Sequence, residues 1–392
     1  MPALSQLVST RDALPADDHA LLVGRVSVTG VGPTLVAVDG DRLVDITEAG
    51  PTMSDLLDRP DVPATVRTAM ESATQDWPLE VVLQASMARA DGAVTLLPPV
   101  DLSAVKAAGV TFARSMVERV IEEHARGDQA AAEGIRKRLG VVIQNAANVV
   151  PGSEEAAKIK ETMVAEGLWS QYLEVGIGPD PEIFSKAQVL SSVGFGAHVG
   201  VLERSGWNNP EPEVVLAVDS AGRTVGATLG NDVNLRDFEG RSALLLTEAK
   251  DNNASSSIGP FIRLFDDSFS LQDLRESSVR MAVYGEDGYE LSALSRVSEM
   301  SRSFEDLVSH AWGAHHQYPD GFVLFTGTMF APTDDRGAPG EGFTHHEGDH
   351  VLIHCAALGT LANTVTTSEA APPWTFGIRD FMVNLSQRGL LA

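Results

Sequence analysis

Residues 20–47 alternate apolar and polar positions and break at glycines (LLVGRVSVTGVGPTLVAVDGDRLVDIT). That spacing predicts short strands joined by turns, with Val38-Asp39-Gly40-Asp41 as the hairpin signal. TMSDLLDRPDVPATVRTAM predicts short helices, and the Pro-Pro pair in TLLPPVDLSAVKAAGV marks a boundary near residues 98–103. A small β-containing N-terminal domain, residues 1–103, is thus expected ahead of a main domain, residues 104–392. From about 116 to 170 the pattern turns helical (MVERVIEEHARGDQAAAEGIRKRLG, then SEEAAKIKETMVAEGLWSQYL with Ser153 as cap) and predicts a helical insertion. Beyond 185 short apolar runs return between Gly, Asn and Asp turns: AQVLSSVG, EPEVVLAVD, VGATLGNDV, GFVLFTG, DHVLIHCAAL and TLANTVTT. The fold class expected is α+β and β-rich, without internal repeats.

Composition narrows the function. With 43% hydrophobic and 21% charged residues the chain is that of an ordinary globular protein. A net charge of −25 repels phosphate backbones and anionic membrane surfaces, so nucleic acid and membrane are not expected partners. An anionic substrate needs a locally positive site, and a bound cation supplies one most simply. Cys355 is the only cysteine and sits in the apolar run VLIHCAAL, as a core thiol does. Neither a secretory leader nor a run of about 18 apolar residues is evident, and a cytoplasmic location is expected.

Three segments carry candidate chemistry. In Asn208-Asn209-Pro210-Glu211-Pro212-Glu213-Val214-Val215-Leu216, an extended backbone projects Glu211 and Glu213 to one face. Two adjacent carboxylates repel unless a divalent cation such as Mg2+ joins them; a solvated strand end is the plain alternative. In Gly230-Asn231-Asp232-Val233-Asn234-Leu235-Arg236-Asp237, Gly-Asn-Asp reads as a turn that could return Asp232 to the glutamates as a third oxygen ligand. Arg236 has the fork to bind a substrate carboxylate, or else pairs with Asp237 or Glu239. Lys250 enters the polar loop DNNASSSIGPF, where it could stabilise an oxyanion or enolate or simply be solvated. The adjacent pairs His315-His316 and His345-His346 do not converge on one ion as an i, i+4 pair does. Hydrogen bonding of substrate hydroxyls by His316, Gln317 or Tyr318 is the expectation retained there, beside a structural role. Trp207 and Trp374 are read as packing residues.

Taken in order, GVTFARSMVE, PEPEVVL, GNDVNLRD, Lys250 ahead of Gly259-Pro260, and FTGT resemble the fumarylacetoacetate hydrolase superfamily over roughly residues 104–392. Within it, EGLWSQYLEVGIGPDPEIF, NNPEPEVVL, AKDNNASSSIGPFIRLFD and PPWTFGI look like the bacterial dehydratases of 2-keto-3-deoxy-pentonates (xylonate or arabinonate) used in oxidative pentose breakdown. That resemblance implies a β-roll catalytic domain and Mg2+, with Mn2+ or Ca2+ as alternatives, held by Glu211, Glu213 and Asp232. It implies Lys250 beside the metal and Thr328 near the acid end of a 2-keto-3-deoxy sugar acid, in a homodimer or homotetramer. The hydrolases of the family carry His-x-x-Glu where this chain has Ser115 and Glu118. Loss of the histidine removes a water-activating dyad and leaves Glu118 as an acid/base, with Lys250 as charge stabiliser and Ser115 in support. Dehydration to 2,5-dioxopentanoate is therefore expected, with carbon–carbon hydrolysis of a 2,4-diketo acid, or binding without turnover, as the rivals. The insertion directly after Glu118 is expected to act as a lid.

Overall fold

The computed structural model describes residues 2–126, 128–146, 149–165, 167–330, 335–336 and 342–391, and only the backbone of 138–146. The strands expected in residues 20–47 are β1 (Leu22–Val28), β2 (Gly32–Asp39) and β3 (Arg42–Asp45). The hairpin turn falls at Gly40-Asp41, between the pair Asp39 and Arg42, and Gly40 takes the positive φ of 58° that its lack of Cβ permits. Two short strands, β4 (Asp76–Pro78) and β5 (Thr95–Leu97), complete this part. Next come β6 (Ala104–Gly109), β7 (Glu182–Ala187), β8 (His198–Val201), β9 (Asn208–Asn209), β10 (Pro212–Val218), β11 (Thr224–Asp232) and β12 (Asn234–Leu235). The remainder are β13 (Ser256–Leu264), β14 (Ser278–Tyr284), β15 (Glu290–Arg296), β16 (Phe322–Phe325), β17 (His350–Cys355) and β18 (Gly359–Thr367).

An eleven-stranded sheet runs β4-β3-β2-β1-β13-β11-β10-β16-β6-β7, with β5 on β1; a second sheet runs β15-β14-β17-β18-β8. Because β1 pairs with β13, the large sheet crosses the 98–103 boundary without interruption. At its centre β10 is buried along its whole length. Val214, Leu216 and Val218 join one hydrophobic cluster, while Val215 and Ala217 join another with Phe325 and Ile262. Burial on both faces explains why its sequence is a continuous apolar run and not an alternation.

The insertion forms helices Ala113–Ala125, Gln129–Ala146, Glu154–Ala165 and Gln171–Ile177. Ser153 caps the third by accepting a hydrogen bond from the Ala156 N–H at 3.1 Å. The lid expected here includes residues 127, 147 and 148, which lie outside the described residues. AQVLSSVG, expected as a strand, is corrected: β7 stops at Ala187 and only Val193 forms an isolated bridge, to Ser257. Gln188–Ser192 instead makes a turn closed by Ser191 N–H to Gln188 O. Cys355 is fully buried, which pushes its thiol pKa up. Among the described residues no helix is long and apolar enough to cross a membrane.

Candidate active site

The site is built on one face of a single antiparallel ladder. In β10 and β11, Glu213 pairs with Gly230 and Pro212 with Asn231. The Asp232 N–H donates to the Glu211 carbonyl at 3.0 Å, and Asn209 pairs with Asn234 in the β9–β12 extension. The register is continuous, so alternation sends Glu213, Glu211, Asn209 and Trp207 to the same face as Asp232, Asn234 and Arg236. Two contacts confirm this at either end. Oxygens of Glu211, Glu213 and Asp232 lie within 4.8 Å of one another, all three residues buried. The Arg236 guanidinium stacks 4.3 Å from the centre of the Trp207 ring. The same face, followed the other way, becomes the apolar core at Val215 and Phe325.

The expected turn at Gly230-Asn231-Asp232 is therefore corrected: β11 continues through Asp232, and strand pairing brings Asp232 to the glutamates. Gly230 is small for a packing reason, since a Cβ there would fall 2.3 Å from a Phe325 ring carbon and 2.6 Å from a Val215 methyl. Asn231 serves the ladder too, its side-chain oxygen accepting from the Glu211 N–H at 3.1 Å.

Cations surround the carboxylates. Lys250, at the end of helix Leu246–Lys250, places Nζ 2.5 Å from Glu211 and 3.0 Å from Asp232. Lys186, unmarked by any motif in the sequence, is wholly buried with Nζ 2.8 Å from Asp232. Arg119 contacts Glu211 and reaches Glu122 at 2.8 Å and Glu239 at 3.1 Å. Burial opposes the charge on Asp232, but Lys186 and Lys250 outweigh it and hold the carboxyl below its ordinary range. Burial also opposes the charge on Lys250, and Asp232, Glu211 and Glu239 together hold the amine above its own. Glu213 accepts from the Gly327 N–H at 2.6 Å; burial, Asp232 and Glu211 drive its pKa well up. Three buried carboxylates, one of them destabilised as an anion by its neighbours, form the oxygen donor set that a hard divalent cation takes.

A fourth carboxyl escaped the sequence reading. Glu182 stands opposite Gly109 in the β6–β7 pair, where a Cβ would fall within 1.9 Å of its carboxylate oxygen. Although the residue keeps some exposed surface, its carboxyl is enclosed by protein, and burial, Glu239 and Glu211 raise its pKa to about 7 against the pull of Lys250 and Arg119. Only the EIF context pointed toward it, as part of a family stretch and not as an acid.

The other expected residues divide. Glu118, one helical turn before Glu122, is held by Arg136 at 2.6 and 3.0 Å and lies 3.8 Å from Arg236. Ser115 donates to Phe112 O at 3.0 Å in the first turn of the same helix. Arg236 pairs with neither Asp237 nor Glu239 but with Glu122, at 2.5 Å. Thr328 is buried just past the end of β16, beside the Gly327 that binds Glu213, and its oxygen accepts from Phe330 N–H at 3.0 Å. His316, Gln317 and Tyr318 precede β16, whose pairing of Phe322 with Val218 and Phe325 with Val215 puts them at the opposite end of the ladder. There His316 stacks on Tyr318 at 4.5 Å, and Trp312 packs against the Gly222 turn. The structure does not bring these three to the carboxylates.

Residues 211–366 match the family model for the C-terminal part of fumarylacetoacetate hydrolase. Over 262 residues the chain is 31% identical to a probable 2-keto-3-deoxyxylonate dehydratase of Haloferax volcanii, covering 66% of this chain and 85% of that protein. It is 30% identical over 185 residues to the 2-dehydro-3-deoxy-D-arabinonate dehydratase of Saccharolobus solfataricus, covering 47% and 58%. In fold it is similar to a 2-keto-3-deoxy-D-arabinonate dehydratase solved with magnesium and 2,5-dioxopentanoate, with TM-score 0.58, 19% identity, and 88% and 99% of the two chains covered.

Proposed function

We propose, since this chain belongs to the fumarylacetoacetate hydrolase family, that it is a metal-dependent hydro-lyase converting a 2-keto-3-deoxy-pentonate to 2,5-dioxopentanoate and water. The observation that carries this reading is the buried cluster of Glu211, Glu213 and Asp232 with Lys250 against it. These carboxylates would hold Mg2+, with Mn2+ and Ca2+ as alternatives, and the ion supplies Lewis-acid polarisation of the 2-keto acid, which acidifies C3. Lys250 sits where it adds positive charge beside the developing enolate oxygen. Glu182 is suited to take the C3 proton, because a carboxyl with a pKa near the working pH exchanges protons in both directions. Loss of the C4 hydroxyl then leaves an enone whose C5 proton is acidic by conjugation; removing it and returning a proton to C3 gives the C4–C5 enol, which becomes the aldehyde as its O–H proton is lost and C4 gains one. Glu118, poised by Arg136, is assigned to this second transfer, with Ser115 anchoring the helix that carries it. The Thr328 hydroxyl proton is assigned to the carboxylate end of the substrate, and Arg236, two rungs away and beside Glu118, to its distal end.

The net charge of −25 and the small-acid chemistry fit a cytoplasmic catabolic enzyme. A homodimer or homotetramer fits the exposed Trp374, Phe376, Ile378 and Met382 near the C-terminus, apolar surface that a second copy would cover. The test is metal-stripped protein, with and without added Mg2+, on racemic 2-keto-3-deoxy-pentonate, read by mass spectrometry. Metal-dependent loss of one water is expected; carbon–carbon cleavage products would establish the hydrolase instead, and no reaction would overturn both.

A further inference from the structure

One rung of the ladder lies between the carboxylates and the Arg236–Trp207 stack: Asn209 paired with Asn234. Asn209 is 2% exposed and Asn234 0%. Yet neither the nitrogen nor the oxygen of the Asn234 amide finds a hydrogen-bond partner among the described residues, and neither does the Asn209 oxygen. The Asn209 nitrogen is already spent on Pro210 O at 2.8 Å, which fixes the amide and leaves its oxygen as the free acceptor among the described residues. On the next rung the Trp207 indole N–H, 4% exposed, is also without a partner among the described residues. Buried polar groups cost several-fold to hundred-fold in stability when unsatisfied, so a set of four on one face marks a place where polar atoms from outside are received.

Resting on the dehydratase reading above, the geometry points to this rung as the subsite that recognises the terminal hydroxyl of the substrate and so sets its specificity. Two residues along a strand separate the Asn209·Asn234 rung from Glu211·Asp232 by about 7 Å. A five-carbon acid held by its keto-acid end at the carboxylate rung therefore presents its distal hydroxyl at the asparagines. That hydroxyl donates to an amide oxygen and accepts from the Asn234 N–H or the indole N–H, satisfying both partners. An apolar tail cannot, and would leave the asparagines stranded.

The experiment compares 2-keto-3-deoxy-pentonate with 4-hydroxy-2-oxopentanoate, the same acid without the C5 hydroxyl, in wild type, Asn234→Leu and Asn209→Ala, with water loss read by mass spectrometry. Mn2+ affinity is measured in each protein. Wild type is expected to prefer the hydroxylated acid by on the order of 10,000-fold in kcat/KM, as sites built around a hydroxyl do. Asn234→Leu should bring that ratio within about tenfold, by loss on the hydroxylated acid alone, with Mn2+ affinity kept. Should Asn234→Leu fail to fold, Asn234→Ser and Asn209→Ala must still narrow the ratio. Equal losses on both acids, or an unchanged ratio, overturn the subsite while the dehydratase stands; a wild type inert to both acids overturns the functional reading, and the subsite falls with it.

Discussion

Glu182→Gln should make the metal-free protein more stable at alkaline pH while slowing turnover. The folded protein holds this carboxyl at about 7 against an ordinary 4.5. Between those values the native state keeps a proton that the unfolded chain has released, so stability falls as pH rises through this window. The contribution vanishes near pH 4 and reaches about 3 kcal/mol of destabilisation by pH 8, taking 1.36 kcal/mol for each unit of displacement. Glutamine keeps the shape and cannot ionise, so the variant should match wild type near pH 4 and exceed it by about 3 kcal/mol at pH 8. Urea denaturation with EDTA present at pH 5, 6, 7 and 8 measures the difference. Turnover in the same variant should fall by about 100- to 10,000-fold, the usual worth of a positioned proton carrier, and the rise of kcat through neutral pH should vanish. A stability difference independent of pH would refute the reasoning, because it would show that the carboxyl is not held neutral in the fold.

Three further outcomes follow from geometry. Glu213→Gln should weaken Mn2+ binding by about 100-fold in calorimetry, whereas Glu118→Gln should leave binding intact and stop turnover; retained activity in the second would remove Glu118 from proton transfer. Gly230→Ala should cost about 1–3 kcal/mol in urea denaturation, because its methyl meets Phe325 and Val215 inside a filled core. Asp349 is fully buried against Arg336 at 2.6 and 2.8 Å and His345 at 3.2 Å; burial opposes its charge, but these partners hold its pKa well below the ordinary 3.8. Its stabilisation is therefore full above pH 4 and lost on acidification, so Asp349→Asn should cost about 3–5 kcal/mol at pH 7 and show a shallower acid limb in pH-dependent unfolding.

The strands of residues 20–47 and the core strand β10 were legible because turn residues and apolar runs are local signals. Glu211 and Glu213 were legible for the same reason, their spacing of two being a property of any strand. Asp232 was brought to the glutamates by the wrong device: Gly-Asn-Asp looks like a turn, and nothing local says that Phe325 needs the space above Gly230. Lys186 and Glu182 were missed because their meaning comes from β7 passing beside Asp232 and Gly109, contacts between residues far apart in the chain. The Ser-rich start of β13 read as a loop, since polar residues mark loops unless a buried neighbour such as Ser192, 3.0 Å from Ser256, accepts them. His316, Gln317 and Tyr318 were placed near the substrate by composition alone, and strand polarity put them at the other end.

The carboxylate ladder begins or ends no flexible segment; it is the continuation of strands flanked on both sides by β13 and β16. Local openings in proteins come from poorly connected parts, and the best-connected strands open only when the whole domain does. The amides of β10 and β11 should accordingly be among the slowest to exchange with deuterium, and heat should destroy the carboxylate centre only together with global unfolding. Partial inactivation at lower temperature, if it occurs, would then arise in the helices Ala113–Ala125 and Gln171–Ile177, with the carboxylate cluster still assembled.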